Sequence, residues 1–132
     1  MEWVFPISPV AASRPRVARH GAYFAGPYKK FREECQDLVP MVLGPDFSPF
    51  ERGLWIDVEL YPTRPKTTKL HTPRPDIDNY LKSIFDILNG HLWVDDRIIE
   101  SIYATKQWAP KDTPGYFVVG VNHAEEILPP AL

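Results

Sequence analysis

The 132-residue chain is predicted to fold as one α+β domain: two helices packed on a mixed or largely antiparallel sheet, in the order β-α-β-α-β-β. Three observations predict this. Leu54, Ile56, Val58 and Leu60 alternate with Trp55, Asp57, Glu59 and Tyr61, the period of a half-buried strand. Ile77, Leu81, Ile84, Phe85 and Leu88 share one face at about 100° per residue, the period of an amphipathic helix. Short β-rich runs at both ends of the chain are set off by prolines and glycines, which punctuate loops.

The elements follow in order. Residues 3–8 (WVFPIS) read as a first strand, placed at a sheet edge because Pro6 cannot donate to a ladder. Residues 9–26 read as a basic loop or hairpin. Pro27 opens a helical pattern, PYKKFREECQDLVPMVLG, since proline suits a first turn. Tyr28, Phe31, Cys35, Leu38 and Val39 give its apolar spacing, and Pro40 is placed to kink or end it. The strand at 54–61 leads into a proline-bounded basic loop, Pro62–Pro75. The second helix is capped by Asp78 and stopped by Asn89-Gly90. Arg97–Trp108 and Tyr116–Val121 read as the last two strands. The domain is expected to span residues 1–123, with 124–132 as a tail.

Composition narrows the class. The chain is 44% hydrophobic and 13% aromatic, too apolar to be disordered, and a chain this long hides roughly two-thirds of its unfolded surface. No apolar run reaches the length of a membrane span, and MEWVFPISPV has neither the basic n-region nor the long h-region of a secretory signal. One cysteine, Cys35, excludes an internal disulfide and a cysteine-cluster metal site. A cytoplasmic setting is expected. The net charge of −2 does not announce a nucleic-acid binder, but its distribution says more. Arg14, Arg16, Arg19, Lys29, Lys30 and Arg32 lie in one stretch without an acid, and Arg64, Lys66, Lys69 and Arg74 in another. The second runs straight into Asp76. Either these are solvated loops, or they hold phosphate beside carboxylates that hold a metal.

The segment RPDIDNYLKSIFDILNGHLWVDD, residues 74–96, puts five aspartates and one lysine into 23 residues. Asp76 and Asp78 stand at the start of the second helix, Asp95 and Asp96 after its end, Lys82 and Asp86 between. Carboxylates brought together repel, so their pKa values rise or a cation joins them. Oxygen-only donors select Mg²⁺, or Mn²⁺, and such a metal beside basic segments suits phosphodiester hydrolysis.

Each residue also has a plainer reading. Asp76 and Asp78 suit a helix N-terminus, where a carboxylate caps and meets the helix dipole. Lys82, four residues from both Asp78 and Asp86, fits two helix salt bridges worth a few tenths of a kcal/mol each, or else contact with the scissile phosphate. Asp86 is its structural partner or a support behind the metal ligands. If residues 95–96 are extended, Asp95 and Asp96 point to opposite faces, so one of them faces the site. His71 and His91 lack a second ligand at zinc spacing. Cys35 packs in a core. Tyr23, Phe24 and Tyr28, interleaved with arginines, either stack on bases or enter the core.

The pattern D-x-D-N-x-x-K-x-x-x-D-x-L-N-G, followed by W-x-D-D, is carried here by Asp76, Asp78, Asn79, Lys82, Asp86, Leu88, Asn89, Gly90, Trp93, Asp95 and Asp96. It resembles the RusA family of crossover junction endodeoxyribonucleases, the Holliday junction resolvases of bacteria and their prophages. SRPRVARHGAYF and PYKKFREE resemble the basic segment and first helix of the phage-type members, so the resemblance covers roughly residues 3–121. It implies Asp76, Asp78 and Asp96 as metal-binding catalytic carboxylates, Lys82 as an essential cation, and Asp95 and Asp86 as supports, Asp95 also lending an oxygen to the metal. It implies Mg²⁺, a homodimer, and a four-way DNA junction as substrate. Two-fold symmetry suits a junction nicked in two opposed strands, one per active site. Arg14, Arg16, Arg19, Lys66, Lys69 and Arg74 are expected on backbone phosphates. The loop TRPKTTKLHTPRP departs from the compact arginine run of the bacterial prototype. Two other functions fit the same residues: a nuclease acting on flaps, D-loops or forks, and a branched-DNA binder without activity.

Overall fold

A computed structural model describes residues 1–13, 16–19, 21–23 and 26–126. Its elements are β1 (Glu2–Phe5), β2 (Arg16–Ala18), β3 (Gly21–Tyr23), α1 (Gly26–Leu43), β4 (Leu54–Tyr61), α2 (Ile77–Leu88), β5 (Ile99–Lys106) and β6 (Tyr116–His123). The two-helix α+β architecture is as expected. β2 and β3 are the hairpin arm of the basic loop, with Val17 opposite Ala22.

The main sheet has the order β1-β6-β4-β5. β6 runs antiparallel to both β1 and β4, while β4 and β5 are parallel. Parallel neighbours need a crossover, and here it is the basic loop plus α2. The sheet is therefore mixed. Trp55 pairs with Ser101 and Leu54 with Ile99, which leaves Glu100 as an extra residue where the register slips.

Period-two burial fixes which way the sheet faces. Leu54, Ile56, Val58 and Leu60 are fully or almost fully buried. They form one core with Phe5, Phe117, Val119 and Val121 from the sheet, Tyr28, Phe31, Cys35 and Val39 from α1, and Tyr80, Ile84, Ile87 and Leu88 from α2. Burying each large side chain is worth about 1.5–3 kcal/mol. The exposed pairs Lys29–Glu33 (3.9 Å) and Lys30–Glu34 (3.8 Å) on α1 contribute a few tenths each, so packing holds the helix. The opposite sheet face carries the exposed acids Asp57 and Glu59 and a stacked Tyr61–Tyr116 pair, 4.6 Å between ring centroids.

Several boundaries differ from expectation. β1 ends at Phe5, one residue before Pro6, and is indeed an edge. α1 passes through Pro40 and ends three residues later at Leu43; Gly44, at φ 93°, closes it by donating to the Pro40 carbonyl at 2.9 Å. A missing N–H late in a helix costs one bond, which the buried face outweighs. Residues 97–98 are not strand: a 3₁₀ turn, Asp96–Ile98, precedes β5. β6 runs two residues past Val121. The expected tail begins with an ordered turn, Ala124–Glu126. Ala124 donates to the Gly53 carbonyl at 2.9 Å, and Arg52 pairs with Glu125. Among the described residues no helix is long and apolar enough to cross a membrane.

Candidate active site

α2 sets the geometry of the site. Twelve residues of helix measure about 18 Å. Asp76 and Asp78 stand at its N-terminal end, Asp86 in its last turn, and Asp95 and Asp96 beyond its C-terminal end. The acids thus form two groups at opposite ends of one helix. Among the described residues, no three Asp, Glu, His or Cys side chains lie close enough to hold one metal ion. The expected single cluster of Asp76, Asp78 and Asp96 is not gathered within one chain, because a straight helix separates its members.

At the N-terminal end, the N-cap is Asp76, not Asp78. Its backbone is extended (φ −62°, ψ 150°), and its side chain makes no capping hydrogen bond. Asp78 follows in the first turn, and both are exposed. An N-cap carboxylate ordinarily satisfies an orphan N–H; this one leaves its oxygens available. The chain entering Asp76 is held from outside. Tyr80 Oη donates to the Arg74 carbonyl at 2.6 Å, and Lys106 Nζ to the Pro75 carbonyl at 2.7 Å. Trp108 Nε1 donates to the Leu70 carbonyl at 2.9 Å. The Arg74–Pro75 peptide is cis. Beside this end an open groove of about 660 Å³ runs between Pro9–Ser13, Tyr28, Arg74 and Tyr80. Tyr80, Lys106 and Trp108 were not legible as site residues, since each acts on a distant backbone carbonyl.

At the other end, Asn89 and Gly90 stop α2 as expected, Gly90 at φ 81°. The chain then folds back so that Gly90 donates to the Trp93 carbonyl at 2.7 Å. Trp93 is fully buried, and its Nε1 donates to Asp96 Oδ1 at 2.6 Å. The Asp96 backbone N–H donates to Asn89 Oδ1 at 3.0 Å. One Asp96 oxygen is thereby engaged and the other left for a ligand. Partial burial pushes the Asp96 carboxyl above its usual range. The Trp93 hydrogen bond opposes that, and the charges of Asp95 and Asp86 add to it. Asp95 is exposed and extended, and caps the 3₁₀ turn by accepting from the Arg97 N–H at 3.0 Å. The two acids differ in their surroundings, through a capped turn and not through strand alternation.

Lys82 lies exposed on the polar stripe of α2. Among the described residues it forms no ion pair with Asp78 or Asp86. Asp86 instead accepts from Tyr28 Oη on α1 at 2.6 Å, which corrects its expected pairing with Lys82. Tyr28 is 2% exposed and belongs to the core; it is not a stacking platform. Its hydroxyl pKa is pushed up, chiefly by burial and then by Asp86, so it remains a donor. Cys35 packs in the core as expected, its thiol pushed up to about 12 by burial and then by the Glu34 charge. His71 and His91 are exposed.

Of the expected phosphate contacts, Lys66, Lys69 and Arg74 are exposed on the loop before Asp76, and Arg19 is exposed between β2 and β3. Arg16 lies in β2, with its side chain outside the described parts. Arg14 lies outside the described residues, as do Phe24 and the side chain of Tyr23.

The all-oxygen donor chemistry fits Mg²⁺. That ion demands octahedral geometry, keeps several waters, and is commonly held by one or two carboxylates plus substrate phosphates rather than by an all-protein cage. Asp76 and Asp78 at one end, or Asp96 with its free oxygen at the other, are such partial sets.

No curated protein is significantly similar to the chain. The family model described as Endodeoxyribonuclease RusA matches residues 6–118, from just after β1 through α2 and both acid groups into β6. On that match the chain belongs to the RusA endodeoxyribonuclease family.

Proposed function

We propose that the chain is a Mg²⁺-dependent Holliday junction resolvase, acting as a two-fold dimer that nicks opposed strands of a four-way DNA junction. The observation that carries this reading is the family match over residues 6–118, which takes in Asp76, Asp78, Lys82, Asp95 and Asp96. Mn²⁺ would serve in place of Mg²⁺, since both accept hard oxygen donors.

In this reading the carboxylates that would hold metal are Asp76 and Asp78 at one end of α2 and Asp96 at the other, each end a partial set, with Asp95 beside Asp96 supplying charge or a further oxygen. When bound, the metal polarises the phosphate and lowers the pKa of a water. Trp93 and Asn89 hold Asp96 in one rotamer, so that it presents a single oxygen. Lys82, free of an ion pair with its helix neighbours, places an ammonium where negative charge develops on the phosphate. It acts by position and charge. Lys66, Lys69 and Arg74 bind the DNA backbone next to Asp76, with Arg14, Arg16 and Arg19 on the hairpin arm. Phosphate contacts carry no sequence information directly, so junction shape dominates recognition.

A labelled four-way junction incubated with Mg²⁺ or EDTA, beside a linear duplex and a flap, tests the reading. Paired symmetric nicks that need Mg²⁺ and spare the duplex support it. Preferred cutting of the flap moves the activity to other branched DNA. Junction binding without nicks in any metal makes the chain a non-catalytic binder.

A further inference from the structure

Lys106 is the last residue of β5, paired in register with the fully buried Leu60 of β4. The chain stays fixed to the sheet beyond it. Gln107 N–H donates to the Leu60 carbonyl at 3.0 Å, and Ala109 N–H to the Pro62 carbonyl at 2.9 Å. Residues directly opposite each other across a ladder share a face. Lys106 therefore lies on the face of Leu60, the side on which α2 packs, and its side chain reaches the start of that helix.

The Lys106 ammonium donates to the Pro75 carbonyl at 2.7 Å and stands 6.0 Å from the centre of the Tyr80 ring, a cation–π distance. Tyr80 is 4% exposed and gives its own hydroxyl to the adjacent Arg74 carbonyl at 2.6 Å. Two neighbouring side chains thus hold two consecutive carbonyls. A long lysine side chain is costly to order. Here the strand fixes its root, and ring and carbonyl fix its tip.

The residue that this arrangement fixes is Asp76. Its Cα joins two planar peptide groups. Lys106 holds the first through the Pro75 carbonyl. The Asn79 N–H holds the second, donating to the Asp76 carbonyl at 3.1 Å. The Cα–Cβ direction of Asp76 is set from its backbone, while its carboxylate makes no capping bond. An N-cap aspartate ordinarily uses a side-chain oxygen to fix the helix start. Here a lysine thirty residues away in sequence takes over that task, and the carboxylate is left for a ligand.

We propose that Lys106 is a positioning residue for the metal-dependent reaction: through the Pro75 carbonyl it sets the direction in which Asp76 presents its carboxylate. The inference rests on the nuclease reading above and adds a residue outside the acid motif. The same ammonium could instead meet a DNA phosphate. That role has a different signature, since it would place Lys106 in the binding step and in its salt dependence.

The test compares Lys106→Met, which keeps the stem and deletes the donor, with Lys106→Arg, which restores a donor. In Lys106→Met the Mg²⁺ concentration for half-maximal junction cleavage should rise about tenfold, the lower end for groups that orient a metal ligand. Junction binding in EDTA should be retained. Hydrogen exchange at the Asn79 amide, read by NMR without metal or DNA, should quicken, because opening there no longer works against the Lys106 bond. Lys106→Arg should recover most of both losses. An unchanged Mg²⁺ requirement in Lys106→Met overturns the inference, whether or not exchange quickens. So does weakened binding in EDTA with a salt slope lower by about one, the mark of a phosphate contact. Either result leaves the nuclease reading standing. A wild type that cuts no branched DNA in Mg²⁺ or Mn²⁺ overturns that reading and the inference with it.

Discussion

Tyr28 Oη donates to Asp86 Oδ2 at 2.6 Å, tying the first turn of α1 to the last turn of α2. This bond, and not a Lys82 pair, is what Asp86 contributes structurally. Tyr28→Phe should lower stability by about 1 kcal/mol, the size of a bond to a charged but exposed acceptor. Lys82→Ala should change stability by less than about 0.5 kcal/mol, as for other exposed positions without partners, and yet abolish cleavage. Urea melts and a junction assay on both variants check this. Equal destabilisation by both would mean that Lys82 is structural.

Asp76→Asn and Asp78→Asn should each abolish cleavage and leave junction binding unchanged or tighter, because a charge that repels phosphate is removed. Gel shifts in Ca²⁺ and cleavage in Mg²⁺ separate the two effects. Near wild-type cutting by either variant would remove that residue from the catalytic set.

Trp93→Phe keeps an aromatic ring in the buried slot and deletes the Nε1 donor to Asp96. Groups that orient a metal-binding side chain typically contribute 10–100-fold, so the Mg²⁺ concentration for half-maximal cleavage should rise by about that factor. Calorimetric Mg²⁺ or Mn²⁺ titration in the presence of junction DNA gives an independent reading. Unchanged metal affinity in a folded variant would show that the bond only serves packing.

The raised Asp96 carboxyl pKa fixes a sign for pH dependence. In the metal-free protein the folded state holds this proton more tightly than the unfolded chain, where the ordinary value of 3.8 applies. The group therefore favours folding below that value, and the contribution fades as pH rises through the raised folded value. In EDTA, Asp96→Asn should melt above wild type at neutral pH, with the gap narrowing as pH falls toward 4. Thermal melts across that range decide it, and a wild-type advantage at pH 7 contradicts it.

Ser83 on α2 is completely buried, and its hydroxyl has no hydrogen-bond partner among the described residues. An unsatisfied buried hydroxyl costs about 1–3 kcal/mol, and alanine is the better helix former. Ser83→Ala should raise the melting temperature by about 3 °C or more without altering cleavage. A fall in stability would point to a partner for the hydroxyl.

The sequence by itself determined the α+β class, both helices, the β4 strand and the stop at Asn89-Gly90, because each depends on local periodicity or turn chemistry. It also determined the family, since a motif of acids, lysine and turn at fixed spacing survives without any knowledge of distance. The parallel pairing of β4 with β5 and the place of β5 at a sheet edge depended on strand order, which alternation does not encode. The division of the acids into two groups was decided by tertiary structure too. Spacing places Asp76 and Asp96 in one motif, but a rigid helix of about 18 Å stands between them. Tyr28 reaching Asp86, Trp93 reaching Asp96 and Lys106 reaching Pro75 are contacts made where the chain turns back on itself, so the folded chain alone reveals which group each side chain serves.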